Sequence, residues 1–351
     1  MQPSELPNAS PPYTPLLETA YGALRAQILC VAAELGLAEC LAQNGPLTAS
    51  ALAPKLGIDA AVLERVLRGL VSMSVCDEIE GSRFRLTALG EYLRPNHPDS
   101  VEARVLLHGQ LFYRMWGELA EAVRTGEGGS QLALGMPSHE YFIKEPQVGL
   151  LFDRTMASEA PFRHRPAVEA YNFGQFAMVV DVGGGNGALM AEILKAYPQP
   201  TGIVFDLPRV AAAAQQTIDA GGLRDRCRFI AGDAFETVPG GGDAYVLSNF
   251  LVSWADDQAV ILLRNCRKAI AENGKVLLIE WVMPAGNEPR ERFRFFDTVS
   301  RDLIMLSVNG SGGGRVRTRS GFQDLLATAG FELTAVIPTR GSIDVIEARP
   351  R

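Results

Sequence analysis

Residues 179–187 read Val-Val-Asp-Val-Gly-Gly-Gly-Asn-Gly, and residues 188–197 follow with the composition of a helix. A short β-branched run that ends in an acid and a glycine cluster predicts a strand, a tight turn and then a helix. This order opens a doubly wound α/β sheet. Glycines suit such a turn because the backbone approaches a bound ligand closely only where no Cβ intervenes. We therefore expect an open α/β sheet with a ligand site at the turn.

The spacing within the turn indicates which ligand it binds. Gly183, Gly185 and Gly187 do not form Gly-x-Gly-x-x-Gly, the pattern of dinucleotide enzymes, because the third glycine arrives one residue early. Asp181 stands two residues before the first glycine, where its carboxylate suits the ammonium of an amino acid better than a pyrophosphate. The pattern favours a nucleoside that carries an amino acid, S-adenosylmethionine (SAM). A glycine cluster alone is also found in purely structural turns.

Three further predicted strands end in polar residues, namely 203–205, 228–230 and 244–247. Asp206 follows the first of them, about 20 residues beyond the glycine turn, where an acid accepts both ribose hydroxyls. Asp233 offers a carboxylate to the adenine amino group, and Phe235 offers an aromatic cover for the ring. Ser248 follows the last of these strands. Because ligands of open α/β sheets bind outside the carboxyl ends of the strands, these side chains predict one cofactor site.

The composition bounds the class of protein. For 351 residues two domains are expected, and a hydrophobic content of 47% is enough for a buried core. The net charge of −7 argues against nucleic acid as a partner. No signal peptide and no apolar run of membrane-spanning length is visible, so we expect no membrane partner and a cytoplasmic location. Residues 1–12 are polar and proline-rich, which predicts a disordered tail.

Cysteines and histidines show no metal-binding pattern. The five cysteines are scattered and odd in number, which indicates free thiols in a reducing compartment; they are Cys30, Cys40, Cys76, Cys227 and Cys266. The four histidines are dispersed as well. We expect no metal.

The N-terminal third predicts a winged-helix domain over residues 13–100. Its elements are an apolar helix, two further helices and a small hairpin, over 24–37, 47–53, 60–73 and 79–87. DNA binding is one interpretation of such a module. However, the candidate recognition helix over 60–73 carries only two basic residues, Arg65 and Arg68, beside the acidic Glu64, which is little positive charge for contact with DNA. We favour an association surface with a second subunit, because the apolar helix has little else to cover it.

Residues 101–170 predict helices that link this domain to a SAM-binding domain over 171–351. Helices that face the carboxyl edge of the sheet would roof the cofactor site. Met156 is therefore a candidate on the substrate side.

Several motifs follow one another in a fixed order along the chain, at 181–187, 205–208, 232–235, 254–257, 315–318 and 329–331. Together with the winged-helix N-terminus, the series resembles the small-molecule O-methyltransferases of plant phenylpropanoid and bacterial aromatic-polyketide pathways. The resemblance implies a Rossmann-like, SAM-dependent methyltransferase domain with a mixed seven-stranded sheet. It also implies an N-terminal helical dimerisation domain and a homodimer.

The strand ends and the resemblance together give two sets of candidate site residues. The cofactor is SAM, with S-adenosylhomocysteine as its product, and its expected contacts are Asp181, Gly183, Gly185, Asp206, Leu207, Asp233, Ala234, Phe235 and Ser248. The expected contacts of a small aromatic substrate are Met156, Ser253, Trp254, Asp302, Met305 and Asn309.

The chain departs from the family where the catalytic base is expected. Most members carry a histidine two residues before the tryptophan of the 254–257 motif, and here that residue is Val252. Of the two acids that usually flank the histidine, Glu280 is kept and the other is replaced by Val316. Glu280 is the remaining catalytic candidate. It either acts on the substrate itself or caps the end of a strand.

Methyl transfer without that base favours particular acceptors. A phenol that is already ionised, or an aromatic amine, needs no general base. We therefore expect transfer to an oxygen or nitrogen of an aromatic secondary metabolite, driven by proximity and orientation. Two alternatives stay open at this point. One is a different SAM-dependent reaction on the same fold, such as hydroxylation or decarboxylation, and the other is a non-catalytic winged-helix binding protein.

Overall fold

The computed structural model describes residues 11–286 and 291–351, with 159–161 described by their backbone only. The predicted disordered tail comprises residues 1–12, and residues 1–10 of it lie outside the described residues.

Two compact units divide the chain. One consists of residues 1–114 and 142–158, and the other of 115–141 and 159–351, apart from the undescribed residues. The linking helices predicted over 101–170 thus contribute to both units. Their role as a roof over the site stays a prediction.

The first unit is mainly helical and contains a small antiparallel sheet in the order β1-β3-β2. Its elements are α1 (Thr14–Ala20), α2 (Gly22–Glu34), α3 (Leu37–Asn44), β1 (Leu47–Thr48), α4 (Ala49–Leu56), α5 (Ala60–Ser72), β2 (Cys76–Ile79), β3 (Arg83–Leu86), a 3₁₀ turn (Gly90–Leu93), α6 (Glu102–Leu107) and a π-helical turn (His108–Phe112). The predicted winged-helix elements are α4, α5 and the β2–β3 hairpin.

Helix α5 shows why this unit folds locally. The Asp59 carboxylate accepts hydrogen bonds from the first free N–H groups of the helix, an N-cap that fixes where it begins. Leu63, Leu67 and Leu70 recur at helical spacing, and all three are fully buried. They pack in one core cluster with Phe84 of the hairpin.

The two faces considered for binding differ in character. Arg68 pairs with Glu64 at 2.7 Å and lies 3.8 Å from Glu78, so its charge is balanced locally. The first two helices, in contrast, leave large apolar side chains exposed to solvent; these are Leu16, Leu17, Tyr21 and Leu24. An exposed apolar face of this kind suits association with a second copy.

Five helices follow: α7 (Tyr113–Gly117), α8 (Leu119–Thr125), α9 (Gly129–Leu134), α10 (Ser138–Lys144) and α11 (Pro146–Ala170). The second unit continues with a 3₁₀ turn (Phe173–Gln175), β4 (Met178–Val182), α12 (Ala188–Ala196), β5 (Thr201–Asp206), a 3₁₀ turn (Pro208–Val210), α13 (Ala211–Ala220), β6 (Cys227–Ala231), β7 (Ala244–Ser248), a 3₁₀ turn (Leu251–Ser253), α14 (Asp256–Ala269), β8 (Lys275–Glu280), β9 (Val282–Met283), α15 (Arg292–Asn309), β10 (Arg317–Thr318), α16 (Arg319–Thr328), β11 (Phe331–Pro338) and β12 (Asp344–Pro350).

A seven-stranded sheet in the order β11-β12-β8-β7-β4-β5-β6 forms the centre of the second unit. Strands β4 to β8 run parallel, and β12 lies antiparallel to both of its neighbours. The central strands bury both faces, which is why they read as unbroken apolar runs; Val179, Val180 and Tyr245 are fully buried. The predicted α/β class with a mixed seven-stranded sheet is confirmed.

Candidate active site

The strand order places the site. From β4 the chain adds β5 and β6 on one side of the sheet, and then it returns to add β7 on the other side of β4. The direction in which strands are added therefore reverses at β4. Ligands of open α/β sheets bind at such a switch point, beyond the carboxyl ends of the strands. The glycine turn after β4 and the polar ends of β5, β6 and β7 all lie at this edge.

The glycine turn depends on backbone conformations that other residues rarely adopt. Gly183, Gly185 and Gly187 have φ angles of +72°, +55° and +76°. A Cβ on Gly184 would come within 2.8 Å of the carboxyl group of Asp181. The predicted turn thus passes directly over that acid.

Asp181 is buried, with 1% of its surface exposed. Its Oδ2 has no hydrogen-bond partner in the described part of the chain. Burial, followed by the charge of Asp206, raises the pKa of Asp181 to about 7. A cationic group that bound here would restore the charged form of the carboxylate.

Asp206 connects the end of β5 to the glycine turn. Its Oδ2 accepts a hydrogen bond from Gly185 N at 2.8 Å, and its Oδ1 accepts one from Leu207 N at 2.6 Å. Leu207 itself is 40% exposed. A carboxylate oxygen accepts more than one hydrogen bond, so Asp206 retains acceptor capacity toward a ligand.

The loop after β6 brings Asp233, Ala234 and Phe235 together. Phe235 N donates to Asp233 Oδ1 at 2.8 Å. The side-chain amide of Asn265, on α14, donates to the carbonyl oxygens of both Ala234 and Phe235 at 2.9 Å. The ring of Phe235 lies edge-on to Trp254, with 4.7 Å between the centroids. The sequence prediction missed Asn265, although a buried asparagine among the apolar residues of a helix is the signal that reveals it.

Several buried polar atoms at the ends of β4 and β7 and in the following turn have no hydrogen-bond partner among the described residues: Asp181 Oδ2, Ser248 Oγ, Asn249 Oδ1 and Trp254 Nε1. Asn249 also adopts a φ of +50°, in the left-handed region that asparagine tolerates better than most non-glycine residues. Buried polar groups are normally paired. This set therefore fits a ligand with several polar groups, as the predicted cofactor has.

Residues 250–254, the turn that follows β7, contain the predicted base position. Val252 occupies that position and is buried, with 4% exposure. Glu280, at the end of β8, accepts hydrogen bonds on Oε1 from the backbone N–H groups of Phe250, Leu251 and Val252, at 2.9, 2.8 and 3.3 Å. Its Oε2 is buried and has no partner among the residues described.

Burial raises the pKa of Glu280 to about 7, against the lowering effect of its backbone donors and of Arg317. Arg317 is a residue that the sequence prediction missed. Its guanidinium donates to the carbonyl oxygens of Leu251 at 2.8 Å and Trp254 at 2.7 Å. It also pairs with Asp256, 2.8 Å away.

The acceptor-side residues on α15 contact two segments that border the base position. Asp302 accepts a hydrogen bond from Val316 N at 2.9 Å, and Asn309 donates to the carbonyl oxygen of Ser253 at 3.3 Å. Met305 is buried between them along the helix. The structure thus joins Asn309 to Ser253 and Asp302 to the backbone of Val316, while the acceptor-side role of these residues stays a prediction. Met156 belongs to the first unit, and its role stays a prediction.

The described residues offer neither a metal site nor a membrane-spanning helix. Over 11–286 and 291–351, the acids, histidines and cysteines form no group that could hold a metal ion. Within those ranges, no helix combines the length and the apolar character that a membrane crossing requires. All five cysteines are free thiols.

Comparison with known proteins identifies two domains. A model of the O-methyltransferase domain matches residues 116–332, and a model of the O-methyltransferase dimerisation domain matches residues 17–96. The phenazine O-methyltransferase PhzM of Lysobacter antibioticus is 38% identical to this chain over 335 residues, which cover 95% of each protein.

Solved structures agree over nearly the whole chain. The N,N-8-amino-8-demethyl-D-riboflavin dimethyltransferase of Streptomyces davawensis has a TM-score of 0.84 and 31% identity, covering 97% of this chain and 100% of its own. Human N-acetylserotonin methyltransferase, solved with SAM, has a TM-score of 0.87 and 28% identity, covering 98% of this chain and 99% of its own. SAM is the cofactor, and the dimerisation domain indicates a homodimer. This chain therefore belongs to the family of SAM-dependent O-methyltransferases.

Proposed function

We propose that the protein transfers a methyl group from SAM to an oxygen or nitrogen of a small aromatic metabolite, without a histidine base. The observation that carries the proposal is the buried valine, Val252, in a turn held at both its N–H and its carbonyl groups. The relatives support both acceptor atoms, since one is named for O-methylation of a phenazine and another for dimethylation of an aminoriboflavin.

Four side chains are proposed to hold SAM. The buried carboxylate of Asp181 suits its ammonium, and Asp206 suits its ribose hydroxyls. Asp233 suits the adenine amino group, and the hydroxyl of Ser248, which has no hydrogen-bond partner among the described residues, completes the set. When bound, SAM supplies a methyl group on a positively charged sulfur.

The protein's contribution is proposed to be alignment of the acceptor and exclusion of water. Holding two reactants in line is worth roughly 7–11 kcal/mol, whereas a general base adds roughly 10²–10⁴-fold in rate. A phenol that is already ionised, or an aromatic amine with a free lone pair, needs only the first contribution. Burial, with the charge of Arg163 as the second cause, lowers the pKa of His164 to about 3, so this imidazole is uncharged and only weakly basic near neutral pH.

The acceptor is proposed to contact Ser253, Trp254 and the α15 residues Asp302 and Met305, with Asn309 supporting Ser253. Met156 is kept in this proposal as a residue of the first unit. A cytoplasmic location is part of the same proposal, because all five cysteines are free thiols.

Transfer itself is tested with SAM that carries a trideuteromethyl group. The purified protein is incubated with a panel of hydroxylated and aminated polycyclic aromatics, and the products are examined by mass spectrometry. We expect a labelled methyl group on a phenolic oxygen or an aromatic nitrogen. Formation of a hydroxylated or decarboxylated product that lacks the label would contradict the proposal.

The raised pKa of Asp181 predicts a pH dependence of SAM binding. Below about pH 7 the free protein holds Asp181 largely protonated, and SAM must displace that proton before its ammonium meets a carboxylate. We expect affinity to rise with pH toward about 7, and to decline above roughly pH 8, where an α-amino group loses its own charge.

Calorimetry in two buffers of different ionisation enthalpy measures this effect, with proton release expected on the acidic side. Asp181→Asn is the control, because it removes the titrating group and is expected to abolish the rise. An affinity that stays constant over the acidic range in the unmodified protein would show that the ammonium lies elsewhere.

A further inference from the structure

The 250–254 turn is held from one side by Glu280. One carboxylate oxygen, Oε1, accepts hydrogen bonds from three consecutive backbone N–H groups of the turn, and the side chain is 1% exposed. A carboxylate used in this way has a fixed position. The geometry is that of an anchor for the backbone, since all three N–H groups of the turn donate to Oε1, whereas Oε2 has no partner among the described residues.

The same turn is held from the other side by Arg317. Its side chain is 2% exposed, and it donates to the carbonyl oxygens of Leu251 and Trp254. Asp256, at the start of α14, binds the same guanidinium and fixes its orientation. Glu280 and Arg317 thus take up the N–H groups and the carbonyl groups of one short segment.

Packing contacts further restrict the backbone of the turn. Gly314 lies so close that a Cβ on it would stand 2.1 Å from the carbonyl oxygen of Val252. Asn309 donates to the carbonyl oxygen of Ser253. The turn in its held position carries Trp254, whose ring contacts Phe235 of the loop that follows β6.

We propose that Glu280 and Arg317 are positioning residues, which act on the reaction by fixing the 250–254 turn and with it the wall formed by Val252, Ser253 and Trp254. The inference rests on the proposed function. In a base-free transfer the rate depends on alignment, and a displacement of about 1 Å costs roughly 10²-fold. Two buried side chains that hold one turn from both sides supply that precision.

Hydrogen exchange of the free protein, followed by mass spectrometry on peptides that cover 249–256, tests the anchoring directly. We expect strong protection in the unmodified protein, its loss in Glu280→Ala, and its retention in Glu280→Gln, since the amide oxygen of Gln accepts the same three N–H groups. The exposed Glu272 provides matched controls, Glu272→Ala and Glu272→Gln, for which no change is expected. Equal exchange in the unmodified protein and in Glu280→Ala would overturn the proposal.

Single-turnover kinetics at saturating SAM then separate positioning from proton transfer. We expect the single-turnover rate constant to fall about 10²-fold in Glu280→Ala but by less than about tenfold in Glu280→Gln, with the affinity for SAM little affected in both. Arg317→Lys keeps the charge but not the paired donors, and we expect an intermediate loss. A fall in Glu280→Gln as large as that in Glu280→Ala would assign proton transfer to Glu280 and overturn the positioning role.

The exchange experiment tests the anchoring of the turn, whereas the kinetic experiment also requires that the proposed methyl transfer takes place. If the unmodified protein transfers no methyl group to any acceptor, the proposed function is wrong, while the exchange data still decide whether Glu280 anchors the turn.

Discussion

Replacement of Asp206 by alanine is expected to weaken SAM binding by about 10²–10⁴-fold, because two hydrogen bonds to a charged group, at roughly 1.5–3 kcal/mol each, are lost. The loss has two physical sources. The carboxylate is the proposed acceptor for the ribose hydroxyls, and it also holds the glycine turn through Gly185 N at 2.8 Å. Calorimetric titration with SAM measures the effect.

Two further variants serve as comparisons for Asp206→Ala. Asp206→Asn keeps one acceptor oxygen and is expected to lose less affinity than Asp206→Ala. Asp225→Ala removes an exposed acid elsewhere in the same unit and is expected to leave SAM binding unchanged. Unaltered affinity in Asp206→Ala would mean that the ribose site is misplaced.

Replacement of Gly314 by alanine is expected to lower kcat by about 10²-fold. The affinity for SAM is expected to change by a much smaller factor, and the protein is expected to remain folded. The added Cβ would stand 2.1 Å from the carbonyl oxygen of Val252, a backbone atom that moves only if the turn moves. The effect is therefore expected to fall on acceptor alignment. Steady-state kinetics together with calorimetry on the same preparation separate the two parameters.

Gly312→Ala is a matched control two residues away, since a Cβ there meets no atom within 4 Å. We expect wild-type kinetics from it. Wild-type kcat in Gly314→Ala would show that the position of the turn does not limit the reaction. A large loss of SAM affinity in the same variant would place the strain in the cofactor site instead.

Local patterns made most of the fold and the cofactor side predictable. The glycine turn requires positive φ angles, which glycine adopts readily, so the glycines in the sequence predict the conformation of the turn. Asp206 and Asp233 follow apolar strand runs directly, and parallel strands bring their carboxyl ends to one edge. These features depend on neighbours close in sequence, and they were found.

The elements that hold the 250–254 turn depend on contacts between distant parts of the chain, and these could not be predicted in the same way. Arg317 meets the carbonyl oxygens of Leu251 and Trp254 more than sixty residues away. Arg317 belongs to the 315–318 motif, but a backbone acceptor leaves no signature in the sequence, so its partners in the 250–254 turn could not be predicted. The role of Glu280 was left open for the same reason, because its partners are backbone N–H groups.

Asn265 shows an intermediate case. Its place among apolar helix residues was visible, but the carbonyl groups that it holds became known only from the packing of α14 against the loop after β6.

The measurement that tests base-free transfer most directly is the pH dependence of the single-turnover rate at saturating SAM, for a series of phenols of graded acidity. If the protein supplies alignment and no base, the midpoint of each profile will follow the ionisation of the acceptor and shift from one phenol to the next. A single midpoint shared by all acceptors would mean that a group on the protein takes the proton, and the account would be wrong.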